Sequence, residues 1–181
     1  MKHPDQADYL EEVGTIAREL AGLGLSPVLV GGMALVILGS RRVTRDFDFV
    51  ISKPAGRLDS LIDLFYERGL ELASRLGKDG EVTATIDNAK VASLRLRLDA
   101  PASAYFLNPA TGLRIDLLFD FPIAATTLLG AATRTKVRSH VFHVASEKDL
   151  LRLKKIARAR RSSPGDAEDI AFLEARRKPS R

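Results

Sequence analysis

Cysteine is absent from this sequence, which excludes disulfides, zinc–thiolate centres and cysteine nucleophiles. Tryptophan is absent as well, and aromatic residues make up 6% of the chain. Tyr9, Tyr66 and Tyr105 are dispersed, so no stacking platform for single-stranded nucleic acid is visible. Histidine is scarce. His3 sits in the terminal tail, and His140 and His143, three apart on a strand, face opposite ways and do not share a metal. No apolar run approaches the ~20 residues of a membrane-spanning helix. Met1-Lys2-His3-Pro4-Asp5 leads into acids rather than an apolar stretch, so no secretory signal is read and a cytoplasmic protein is expected.

The chain has 181 residues, 45% hydrophobic and 28% charged, the composition of one ordinary globular domain. Its net charge of +5 is uneven: from Arg152 onward ten Lys/Arg face four Asp/Glu, while the preceding residues are close to neutral. Such a basic segment attracts phosphates or serves as a solvated helical face, and charge alone does not choose.

Helices and strands alternate. Leu10, Val13, Ile16, Ala17 and Leu20 recur at helical spacing, with Gly22 and Gly24 ending that helix. Val28-Leu29-Val30 reads as a buried strand. Gly31-Gly32 then turns the chain into the apolar run Met33–Leu38, which favours a strand–turn–helix unit. Asp46–Ile51 is a strand whose start faces something polar, and Leu58, Leu61, Ile62 and Phe65 mark a helix. Leu94 to Leu98, alternating Leu and Arg, is expected as a strand with one solvated or anion-binding face. Leu113–Phe119 is a further strand, and Val137–Val144 the last. Ser146 and Asp149 resemble a capping box opening a helix through Ile156. Ser162-Ser163-Pro164-Gly165 breaks it, and Asp166–Arg177 forms the final helix. An α/β or α+β domain with a helical tail accounts for this order.

Asp46 and Asp48, two apart on a strand, place their carboxylates side by side on one face. Such a pair repels unless a cation lies between, and oxygen donors of this kind suit Mg²⁺. A strand end with solvated acids is the plainer alternative. Asp116, within a run of Leu, Ile and Phe, makes a third acid that a neighbouring strand could bring alongside. Gly31-Gly32 at a strand-to-helix turn offers backbone N–H groups to phosphate oxygens, and Arg41, Arg42 and Arg45, with Thr44 among them, precede the first acid. Together these fit phosphoryl or nucleotidyl transfer. Asp166 and Asp169 are expected to cap or dock the last helix, or to pair with Lys154 or Arg158.

Gly31-Gly32 followed by Gly39-Ser40-Arg41-Arg42-Val43-Thr44-Arg45-Asp46-Phe47-Asp48 resembles the active-site signature of polymerase-β-type nucleotidyltransferases. More narrowly it resembles a bacterial branch that includes the AbiEii-type toxins. Arg114-Ile115-Asp116-Leu117-Leu118 is similar to that branch's third-acid strand, Ser146–Lys154 to its Ser/Glu/Asp/Leu helix with a later lysine, and Asp166–Ile170 to the motif that follows. Two departures stand out: the usual Gly-Ser helix start reads Gly31-Gly32-Met33, without a hydroxyl at the phosphate turn, although Gly-Gly is frequent in this branch, and the chain is short for an AbiEii-type toxin.

The resemblance implies a nucleotidyltransferase fold, a small mixed β-sheet flanked by helices, with a core over residues 1–145 and a basic helical segment over 146–181 completing the same domain. It implies an Mg²⁺-dependent enzyme holding two ions on Asp46, Asp48 and Asp116, and transferring a nucleoside monophosphate from an NTP such as ATP to an acceptor hydroxyl. Gly31, Gly32, Arg42, Thr44 and Lys154 would meet the nucleotide, with Lys154 at the phosphates. The acceptor would be tRNA, a protein or a small molecule, with no membrane partner, in a toxin–antitoxin or phage-defence setting. The alternatives are a catalytically silent binding or antitoxin-like module on the same fold, and a nucleic-acid-binding protein without enzymatic activity.

Overall fold

The computed structural model describes residues 6–160 and 164–177. His3, Ser162 and Ser163 lie outside the described residues. The chain runs α1 (Gln6–Gly22), β1 (Val28–Val30), α2 (Gly31–Ile37), β2 (Asp46–Ile51), α3 (Leu58–Tyr66), β3 (Glu71–Leu76), β4 (Val82–Ile86), α4 (Ala89–Asp99), β5 (Ser103–Leu107), β6 (Arg114–Phe119), α5 (Ala125–Ala131), β7 (Thr133–Val137), β8 (His140–Val144), α6 (Glu147–Arg160) and α7 (Pro164–Arg177). The strands form one mixed eight-stranded sheet in the order β4-β3-β5-β6-β2-β1-β8-β7. β2 pairs in parallel with β6 and β1 with β8; the remaining ladders are antiparallel. No described helix is long and apolar enough to cross a membrane.

Strand alternation sorts the residues of the central pair. Phe47 and Phe49 on β2 and Ile115 and Leu117 on β6 are fully buried, and Phe106, in register with Ile115, stacks on Phe65 of α3 at 4.0 Å. That face carries the core under α1 and α3, which Arg68 ties together through a two-pronged bond to Glu19 at 2.6 and 2.7 Å. The opposite face of β2 and β6 carries their polar residues and looks toward α6. Ser146 opens α6 as the sequence leads one to expect: its hydroxyl accepts the Asp149 N–H at 3.1 Å and donates to the Asp149 carboxylate at 2.7 Å.

Two expectations are corrected. Leu94–Leu98 is not a strand but the interior of α4, started by the Asn88 side chain accepting from the Val91 N–H and stopped by Ala100 in the left-handed conformation. On a helix the three leucines diverge, so Leu96 is buried while Leu94 and Leu98 are 56% and 73% exposed. Val137–Val144 is not one strand but the turn and second arm of a hairpin, folded at Arg138, whose φ is +55°. The β3–β4 hairpin, β5 and α5 have no counterpart in the sequence reading. β3 and β4 are short, half-exposed and bulged, and so lack a clean alternation.

Candidate active site

The parallel register of β2 and β6 sets Asp46 opposite Arg114 and Asp48 opposite Asp116. Because partners across a ladder and residues two apart share a face, these four side chains form a square of three acids and one base. Arg114 donates from Nε to one Asp116 oxygen at 2.7 Å and from its second terminal nitrogen to the other at 2.9 Å, a bidentate fork. Its remaining terminal nitrogen donates to the Gly80 carbonyl at 2.7 Å, and the guanidinium lies 5.2 Å from the centroid of the Tyr105 ring. Arg114 was not singled out in the sequence. Its place two residues before an acid on a strand was the available signal.

Gly31 is where the chain crowds the acids. Its φ is +67°, and a Cβ there would lie 2.0 Å from an Asp48 carboxylate oxygen. At Gly32 the nearest neighbour is instead the Arg42 guanidinium, at 3.0 Å from such a Cβ. Gly31→Ala is therefore expected to destabilise the fold by at least ~1–2 kcal/mol from the left-handed backbone alone, and to push the Asp48 carboxylate out of place. Gly39→Ala, also at positive φ but with open space around it, carries the backbone cost without the clash. Comparing the melting of the two separates the terms, and equal losses would remove the close approach as a constraint.

Burial, then Asp116, then Asp46 push the Asp48 carboxyl up to about 7, against the smaller opposing pull of Lys154 and Arg114. An unfolded aspartate ionises near ~4, so without a cation the native state binds this proton more tightly than the unfolded chain. The stabilisation is fully present below about pH 4 and is lost as pH rises toward 7 and beyond. Asp48→Asn should remove that slope, worth about 4 kcal/mol between pH 4 and 8. Urea unfolding of both proteins across this range measures it, and parallel curves would contradict it.

Lys154 approaches the same face from α6, and the C-terminal helix holds it there. Its ammonium lies 3.1 Å from Asp166 and 2.7 Å from Asp169, both buried acids of α7. Asp169 also accepts from Arg42, so one carboxylate links the loop before β2 to α6. Arg42 Nε is buried with no hydrogen-bond partner among the described residues. Thr44 is half-buried in that loop. Lys155, by contrast, is 55% exposed and pairs with Glu174.

Gly31, Asp48, Asp116 and Lys154 line one cavity of about 380 Å3. Leu118, Phe121 and Ile156 add apolar lining to the same cavity, and Arg160 sits over the Phe121 ring at 4.8 Å. Asp46 belongs to the carboxylate square and does not line this cavity. The oxygen donors and their mutual repulsion fit a hard divalent cation. Among the described residues, however, no group of three or more acids, histidines or cysteines is arranged to hold a metal, and Asp116 has both oxygens engaged by Arg114. His140, in turn, pairs with Glu11 at 2.9 Å, away from the site.

No protein-family model matches the chain, and no curated protein matches it. Solved structures do. The lincomycin-bound lincosamide antibiotic adenylyltransferase LnuA superposes with a TM-score of 0.56 at 13% identity, covering 91% of this chain and 96% of its own. The antibiotic-resistance factor ANT(2'')-Ia gives 0.57 at 11%, covering 96% and 85%. The Megavirus polyadenylate synthase gives 0.54 at 11%, and this chain spans 32% of it. The mixed sheet flanked by helices is thus the nucleotidyltransferase fold.

Proposed function

We propose that this chain is a divalent-cation-dependent nucleotidyltransferase that moves a nucleoside monophosphate from an NTP to an acceptor hydroxyl. The observation that carries the reading is the carboxylate square of Asp46, Asp48 and Asp116 on adjacent parallel strands, with Asp48 and Asp116 facing Gly31 and Lys154 across one cleft. A bond forms between the acceptor oxygen and the α-phosphorus as the bond to pyrophosphate breaks, and the acceptor's hydroxyl proton is released to solvent. Asp46, Asp48 and Asp116 would hold Mg²⁺, as one ion or as two. The bound ion supplies neutralisation of charge on the phosphates and the departing pyrophosphate. Lys154 places an ammonium at the cleft wall for the phosphates, steadied by Asp166 and Asp169. Gly31 lines this cleft, whereas Gly32, Arg42 and Thr44 do not and are assigned to the nucleotide by their motif alone.

Within this class the ordered motifs favour the AbiEii-like branch, and with it a toxin–antitoxin or phage-defence role. The acceptor is tRNA, a protein or a small molecule, and the apolar side chains of Phe121 and Ile156 in the cleft suit a ring system. A second reading, a silent binding module on the same fold, is favoured by the neutralisation of Asp116 by Arg114. Incubation with Mg²⁺, each α-labelled NTP and total bacterial RNA or lysate decides between them. Label transfer that needs the cation and disappears in Asp48→Asn supports the enzyme, whereas NTP binding without transfer to any acceptor supports the module.

A further inference from the structure

We propose that Arg114 is the resident counter-cation of Asp116 and decides whether that acid joins a divalent-cation site. This inference rests on the nucleotidyltransferase reading of the carboxylate square. Three acids share one sheet face there, and the base among them is committed to one acid: both donors of its fork go to Asp116, while Asp46 lies across the ladder from Arg114. The Arg114–Asp116 pair is largely withdrawn from water, with side chains 16% and 12% exposed, so the fork is a well-shielded contact. A divalent ion entering between Asp46 and Asp48 therefore meets a third carboxylate whose oxygens already face a guanidinium.

Release of Asp116 does not strand Arg114. The Gly80 carbonyl and the Tyr105 ring already hold the guanidinium from two other sides. Asp116 can exchange the fork for the cation while the Gly80 carbonyl of the β3–β4 turn keeps the arginine in the site. Without nucleotide, Arg114 and the cation compete for the third acid. A site loaded with the triphosphate, which brings further negative charge, shifts that competition toward the cation. Arg114 acts through Asp116 and is thus a positioning residue.

The test is Mn²⁺ binding to the full chain without nucleotide, followed by calorimetry and by the spin signal of the free ion. Arg114→Gln is expected to bind Mn²⁺ ~10-fold more tightly than the wild type, about 1.4 kcal/mol. Adding Asp116→Asn to Arg114→Gln should return the affinity to the wild-type value, whereas Asp116→Asn alone should change it less than ~2-fold. Arg114→Lys keeps the charge but cannot fork, and is expected in between, at ~3-fold tighter. It decides the matter if Arg114→Gln does not fold. Unchanged or weaker Mn²⁺ binding in the Arg114 variants, or a ~10-fold loss from Asp116→Asn alone, overturns the inference while leaving a cation-dependent enzyme in place. Absence of Mn²⁺ binding in the wild type and all variants overturns both the inference and the reading on which it rests.

Discussion

Asp48→Asn is expected to lower nucleotidyl transfer by at least ~10³-fold, a loss of about 4 kcal/mol of transition-state stabilisation. Asp48 is the acid at the centre of the site. It lies across from Asp116, two residues from Asp46, against Gly31, and within the field of Lys154. The substitution keeps the shape and removes the charge, so a cation loses one donor and the repulsion that makes the square attractive to it. Single-turnover transfer measured at saturating Mg²⁺ and NTP reads the effect. The same variant should be more stable than the wild type above pH 7, since it no longer carries a carboxyl that the fold prefers protonated. Loss of activity together with gain of stability identifies a residue kept for function. A variant that transfers normally would remove Asp48 from the mechanism.

Lys154→Ala is expected to have the largest effect on stability, about 3–5 kcal/mol, because it withdraws the ammonium from two buried carboxylates. The Asp166 and Asp169 side chains are 3% and 5% exposed and cannot turn to water without moving α7. Lys155→Ala, one residue on, removes a pair exposed on both sides and should cost no more than ~0.5 kcal/mol. Denaturant unfolding compares them. Below its melting point the Lys154 variant should also lose at least ~10-fold in transfer, about 1.4 kcal/mol, with Lys155→Ala near wild type. Equal, small effects on both measurements would assign Lys154 to the solvated face of α6.

The local elements nearest the site were legible in the amino-acid order, for reasons confined to a few neighbouring residues. A double glycine after Val28–Val30 has few other uses than a turn, and Asp46-Phe47-Asp48-Phe49 alternates as a strand must. Ser146 with Asp149 caps a helix through bonds that span three residues. The same local logic failed at Leu94–Leu98, where an alternation of Leu and Arg belongs to a helix whose leucines are partly left in water. Alternation identifies a strand when one face is buried, and whether it is buried is settled by what packs there.

Everything that makes the square a site depended on pairing between distant parts of the chain. Asp48 and Asp116 are sixty-eight positions apart in the sequence, and the β2–β6 register alone sets them opposite one another. A slip of one residue would have turned Asp116 into the core. Arg114 lies two residues from Asp116, yet its place in the site depends on the Gly80 carbonyl of the β3–β4 turn and the Tyr105 ring of β5, which hold it from elsewhere in the chain. Lys154 was singled out from its motif, but its hold by Asp166 and Asp169 required α7 to fold back on α6. Side-chain chemistry at short range is written in residue order. Which charges meet is decided by tertiary packing, because burial and strand register choose among contacts that the sequence leaves equally open.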